Sequence, residues 1–240
     1  KLRADFTSMM VHELRSPLTS IKSTVELVKS DLEKLKSDEL KKYLAGNDTP
    51  ERRKDFIYDT YSGFISIVNS AIKKYDPNHL NLGLRFGGSA PAEILKASKK
   101  YFDVFSINIY GYEVKSDHIQ RIYDLTGLPV IIGEFHFGTP GRGLAPGLAQ
   151  TGSQEERGVA YRYYVENAAS HPAVIGTHWF QWLDQPSTGR NDGENYNIGM
   201  INVTDRPYKE FIRAVKETHK RIQDVHAGKE KPVNRQALTQ

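Results

Sequence analysis

Pro129-Val130-Ile131-Ile132-Gly133-Glu134-Phe135-His136 is the stretch that decides the fold. Val130 to Ile132 are apolar without alternation, which reads as a strand buried on both faces of a parallel sheet. The run then ends on a carboxylate. Working outward, Val104 to Ile109 and Ala173 to Trp182 read as further strands, and Leu80 to Arg85 as a fourth. Helical patterns separate them, opening at Pro91-Ala92-Glu93, around His118 to Leu125, and over about Gln154 to Ser170. An earlier helix starts at Asp48 or Thr49 with Pro50 and Glu51 and stops at Asp76-Pro77-Asn78, where proline punctuates both ends. The last helix covers about Tyr208 to Val225, and the tail from Gly228 is polar and expected to fray. Strands alternating with helices predict an α/β fold with a parallel sheet. Four such units fit half of an eight-stranded barrel or a small open sheet. The strand ends choose between them: Arg85-Phe86-Gly87-Gly88, Asn108-Ile109-Tyr110-Gly111, Glu134-Phe135-His136 and Trp179-Phe180-Gln181-Trp182 are polar or aromatic. In a barrel those ends carry the active site. The expected architecture is half of a TIM-type (β/α)8 barrel over residues 41–228, with a long amphipathic helix over 1–40 before it and a polar tail over 229–240.

Composition narrows the classes of function. Of 240 residues, 38% are hydrophobic and 26% charged, which excludes a disordered or collagen-like chain. No segment reaches the roughly 20 apolar residues of a membrane-spanning helix. Cysteine is absent, which excludes disulfides, iron–sulfur clusters and thiolate zinc sites. No metal or cofactor is expected. Gly138-Thr139-Pro140-Gly141-Arg142-Gly143 is rich in glycine but lacks the Gly-Lys-Ser/Thr ending of a phosphate cradle. The net charge of +4 is spread among alternating signs, so no nucleic-acid partner is expected. Residues 1–10 carry no apolar signal segment.

Glu134 is the strongest single candidate. A rigid carboxylate at a barrel mouth, beside aromatic groups, is what a retaining glycosidase holds under the anomeric carbon as its nucleophile. The plainer alternative is a strand-end glutamate paired to an arginine for stability. Tyr110 ends the neighbouring strand, where its hydroxyl can donate to the carboxylate and keep it ionised. Trp179 and Trp182 offer flat faces for sugar rings; three positions apart on a strand they point to opposite sides, so one of the two is expected in the core. Arg85, Asn108 and His136 are polar groups suited to sugar hydroxyls, with a structural role open for the histidine.

These residues carry a resemblance. Tyr75-Asp76-Pro77-Asn78-His79-Leu80-Asn81-Leu82-Gly83-Leu84-Arg85-Phe86 resembles the fifth-strand region of retaining glycoside hydrolases of clan A. Phe105 to Tyr110 resembles strand six, Pro129 to Phe137 strand seven with its nucleophile, and Thr177 to Asp184 strand eight. Within the clan, residues 40 to 225 are most similar to β-agarases, with Asn197 to Asn202 and Arg206-Pro207-Tyr208 fitting as well. The resemblance implies a β-linked, agarose-like galactan as substrate and Glu134 as nucleophile. The clan's second carboxylate, a glutamate after an asparagine ending strand four, has no counterpart before residue 80. Glu113, Asp184 and Glu194 stand elsewhere, so impaired cleavage or a carbohydrate-binding remnant is the expected consequence.

The first segment has another character. Val11, Leu14, Leu18, Ile21, Val25, Val28, Leu32 and Leu35 alternate in threes and fours, the seam of a coiled coil or helical hairpin. Phe6 to Ile21, with His12-Glu13-Leu14-Arg15-Ser16-Pro17-Leu18, resembles the phosphoacceptor helix of sensor histidine kinases. That resemblance implies His12 as phosphoacceptor and Glu13 as its acid, although nothing after residue 45 matches a nucleotide-binding domain. The chain thus reads as a join of two unrelated parts. The glycosidase part suggests a secreted or periplasmic location and the kinase-like helix a cytoplasmic one. The seam and the open sheet edges predict a homodimer, with the helix folded back over the sheet edge of its own chain as the alternative.

Overall fold

The computed structural model describes residues 49–238. The helix expected over residues 1–40, with His12, Glu13 and the seam of the expected homodimer, lies outside the described residues. The described chain divides into two compact units. One holds the residues up to Gly83 with Ala90–Asp103, the other Leu84–Ser89 with the residues from Val104 onward.

The first unit is built on helix α1, Pro50–Tyr75. Thr49 caps it by accepting the Arg52 amide, Pro50 opens the first turn without needing a donor, and Lys73 and Lys74 sit at the carbonyl end. Helix α2, Ala92–Ser98, is joined to α1 by a bond between Tyr61 Oη and Ser98 Oγ. The strand expected over Leu80 to Arg85 does not form. Asn81 turns the chain locally: its Oδ1 accepts the Gly83 amide, and its Nδ2 reaches Asn69 and Tyr101. Gly83 follows at φ 69°, with the Phe102 ring where a side chain would stand. Asparagine bonded to its own backbone competes with a ladder, and a left-handed residue interrupts the extended run. What survives of the fourth strand, in the second unit, is one parallel bridge from Phe86 to Ile107.

The second unit holds a three-stranded parallel sheet in the order β1 (Phe105–Asn108), β2 (Val130–Phe135), β3 (Val174–Trp179). Helix α3 (Ser116–Thr126) connects β1 to β2, α4 (Gln154–Ala169) connects β2 to β3, and α5 (Lys209–His226) follows. Each crossover is a helix because parallel strands need a long return connection. The register of β1 on β2 slips after Ile107, which sets Asn108 opposite Glu134. Phe135 stacks on Tyr164 of α4 with ring centroids 4.3 Å apart, and Trp179 packs on Phe211 of α5 at 4.9 Å. That aromatic layer is the core against which the strand ends are held. Glu166 of α4 is fully buried and answered by Arg162, Arg221, Thr218 and the Val233 amide. The tail expected to fray is therefore pinned as far as Leu238, whose amide donates to Glu156. Among the described residues, no helix is long and apolar enough to cross a membrane.

Candidate active site

Glu134 emerges at the end of β2 with both carboxylate oxygens engaged. Arg85 Nη1 donates to Oε1 at 3.0 Å and Tyr110 Oη donates to Oε2 at 2.8 Å. Three segments thus converge on one carboxylate: the chain before the Phe86 bridge, the end of β1, and β2 itself. Gly133 permits it, since a Cβ there would stand 2.8 Å from Arg85 Nε and 2.9 Å from Ser106 Oγ. Burial and the neighbouring carboxylate raise the Tyr110 phenol above its usual value, so it serves as a proton-bearing donor throughout the neutral range. Glu134 keeps about a quarter of its side chain exposed and Arg85 about half. The carboxylate is oriented, charged on one flank, and open to a ligand.

The other predicted residues divide. Asn108 stands beside Glu134 in the sheet register, and its Oδ1 is buried with no hydrogen-bond partner. Trp182 is 64% exposed just beyond β3. Trp179 is half-buried, lies among Phe135, Tyr161 and Phe211 and donates Nε1–H to the Ile198 carbonyl. These contacts set one side of the indole against the aromatic layer of α4 and α5, so of the two tryptophans it is the more buried. The expectation that His136 meets sugar hydroxyls is corrected. The histidine is 2% exposed, stands edge-on to the Tyr110 ring at 4.9 Å, and accepts the Leu148 amide at Nε2. It supports Tyr110 from behind instead of meeting sugar hydroxyls. Burial, reinforced by Arg157 and opposed by the Phe180 backbone and Glu134, lowers its pKa to about 4.

Three residues had no role assigned from the sequence. Arg190 lies over the Phe180 ring at 5.6 Å, interacts electrostatically with Glu134, and pairs with Asp192 and Glu194. Its loop shows only turn-forming residues, so no periodic signal marks it. Arg157 of α4 is fully buried and spends its guanidinium on Phe137 O, Gln154 Oε1 and Gly199 O at 2.9, 2.6 and 2.9 Å. Asp184, 2% exposed, accepts from the Gly199 amide, Asn197 Nδ2 and Tyr208 Oη. This polar frame fixes the residues after Glu134 against the loop at Gly199. Glu194 is bonded to Gln185, and neither it, Asp184 nor Glu113 shares a hydrogen bond with Glu134. Among the described residues, no group of His, Cys, Asp and Glu could hold a metal ion.

Comparison with known proteins matches two parts of the chain. Residues 2–50 match the His Kinase A (phospho-acceptor) domain. The chain is 41% identical to β-agarase B of Vibrio sp. (strain JT0107) over 167 residues, which are 68% of this chain and 17% of that protein. The solved structure of PfGH50B superposes with a TM-score of 0.70 at 41% identity, covering 73% of this chain and 26% of that one. An exo-β-agarase superposes with a TM-score of 0.72 at 38% identity, covering 75% and 24%. The chain spans about one sixth of the length of the curated relatives it matches. An α/β fold with a parallel sheet, similar to agarases, follows a segment similar to histidine-kinase phosphoacceptor domains.

Proposed function

We propose that the second unit carries the nucleophile side of a retaining glycoside hydrolase site for β-linked, agarose-like galactan. The observation that carries this is the carboxylate of Glu134, held at one oxygen by Arg85 and at the other by Tyr110. Glu134 attacks the anomeric carbon, the bond to the leaving oxygen breaks, and a covalent glycosyl-enzyme forms that water then hydrolyses. Asn108 stands beside the nucleophile in the sheet register, and Trp182 offers an exposed face for a sugar ring. In this reading β1, β2, β3 and the Phe86 bridge represent four strands of an eight-stranded barrel. None of the described carboxylates is bonded into the site as a general acid. Unassisted departure of an alkoxide leaving group is slower by typically ~10²–10⁴-fold, so we propose that cleavage of natural galactan by these residues is impaired.

A 2-deoxy-2-fluoro-β-galactosyl donor with a dinitrophenolate leaving group tests this, because that anion departs without a proton. Mass spectrometry should find one fluoroglycosyl adduct on the peptide bearing Glu134, and none on Glu134→Gln. No adduct at saturating donor overturns the nucleophile assignment.

The match of residues 2–50 to a phosphoacceptor domain supports a second reading for that segment, with His12 taking a phosphoryl group from a kinase in trans and Glu13 orienting it. Incubation with a histidine-kinase catalytic domain and labelled ATP should phosphorylate the wild type but not His12→Ala. Equal incorporation into both overturns it.

A further inference from the structure

The ring of Tyr110, whose hydroxyl belongs to Glu134, also forms one wall of a separate hollow of about 580 Å³. This volume lies within the roughly 300–1,000 Å³ of small-molecule sites. Tyr112 and Tyr163 add two further rings, and Glu113, Lys115 and His118 add polar groups of different kinds. The rings are fixed in place. Tyr112 donates to the Gln150 carbonyl and stacks near Phe137, while Tyr163 accepts from Gln236 of the tail. His118 completes the wall with its imidazole, whose Nε2 is turned away from solvent.

The lining selects a ligand class. Glu113 and Lys115 carry opposite charges, so the hollow favours neither an anion nor a cation. A purely apolar ligand would strip water from the Glu113 carboxylate and the Lys115 ammonium without replacing its hydrogen bonds. A polyhydroxylated ring satisfies all of these together: its C–H faces lie against tyrosine rings, and its hydroxyls donate and accept among carboxylate, ammonium and imidazole. We infer that the hollow lined by Tyr110, Tyr112, Tyr163 and His118 is a second saccharide-binding site, separated from Glu134 by the Tyr110 side chain. The substrate class rests on the proposed function, whereas the hollow does not. Because Tyr110 is a common wall, a galactan chain can be retained beside the site that acts on it.

Calorimetric titration with neoagarohexaose tests this on the full chain. The wild type should show two binding events. Tyr112→Ala/His118→Ala should lose one of them while still forming the fluoroglycosyl adduct on Glu134, and Glu134→Gln/Arg85→Ala should lose the other. If the Tyr112/His118 variant keeps the wild-type isotherm, the second site is overturned. If the wild type shows one event that only the Tyr112/His118 variant abolishes, the second site stands and the Glu134 reading fails. A measurement on unaltered protein guards against misfolding of the variants: neoagarohexaose should protect the Lys115 amine from reductive methylation. Unchanged Lys115 reactivity at saturating sugar also overturns the proposal.

Discussion

Arg157→Met is expected to destabilise the chain by about 3–5 kcal/mol, the cost of removing one partner from a buried charged network. Thermal unfolding followed by near-ultraviolet circular dichroism should show the midpoint falling by roughly 10 °C, at about 2–4 °C per kcal/mol for a chain of this size. The argument is one of unmet groups. Arg157 is fully buried, and methionine fills a similar volume without any donor. The carbonyls of Phe137 and Gly199 and the amide oxygen of Gln154 would each lose a bond. A buried acceptor left bare costs about 1–3 kcal/mol. Asp184 would lose the positive charge that shares its interior, and Phe211 a guanidinium 4.3 Å from its ring centroid. Burial already lowers the Arg157 pKa to about 10, which marks how much solvation the side chain has surrendered for these contacts. Arg157→Lys should recover only part of the loss, because one ammonium cannot reproduce a fork of three donors. A loss below about 1 kcal/mol for Arg157→Met, as at an ordinary surface site, would show that the frame is dispensable.

Arg157 also shows where the sequence stops being informative. On α4 it stands among Glu155, Glu156 and Arg162 and reads as one more charge on a solvated face. Only the approach of Phe137 and Gly199, one 20 residues before it and the other 42 after, makes it central. Periodic features were legible because they are local. The apolar run from Val130 to Ile132 forms β2, and the Thr49-Pro50-Glu51 signal opens α1 where expected. Glu134, Tyr110 and Arg85 were legible as strand-end residues, and their side chains meet. Two points lay beyond the sequence for one physical reason. The strand over Leu80 to Arg85 looked apolar enough, yet the side chain of Asn81 bonded its own backbone first. The direction of Trp179 depended on β2–β3 register shifts that pair it with Phe135 and turn it toward the helices. Side-chain competition and register are decided by tertiary neighbours, and neither leaves a periodic trace.

Between about pH 6.5 and pH 4, the wild type is expected to lose about 3 kcal/mol of stability that a His136→Gln variant does not lose. The pKa of His136 falls from 6.5 to about 4 on folding, chiefly through burial. In that window the unfolded chain binds a proton that the folded chain refuses, so acid favours unfolding. A difference of about 2.5 pKa units at 1.36 kcal/mol each sets the size. The surroundings explain the refusal. The imidazole faces the rings of Tyr110, Phe180 and Tyr196, and its Nε2 accepts the Leu148 amide. A proton placed there would set donor against donor. Arg157 disfavours the cation further, and the attraction of Glu134 does not compensate. His171, also lowered by burial, titrates in both proteins and cancels from the difference. Glutamine keeps an oxygen for the Leu148 amide but has no proton to gain, so its stability should fall less steeply with acid. Urea unfolding at pH 7 and pH 4 reads both slopes. Parallel losses in the two proteins would mean that His136 accepts its proton without strain, and that its burial behind Tyr110 does not govern the acid response.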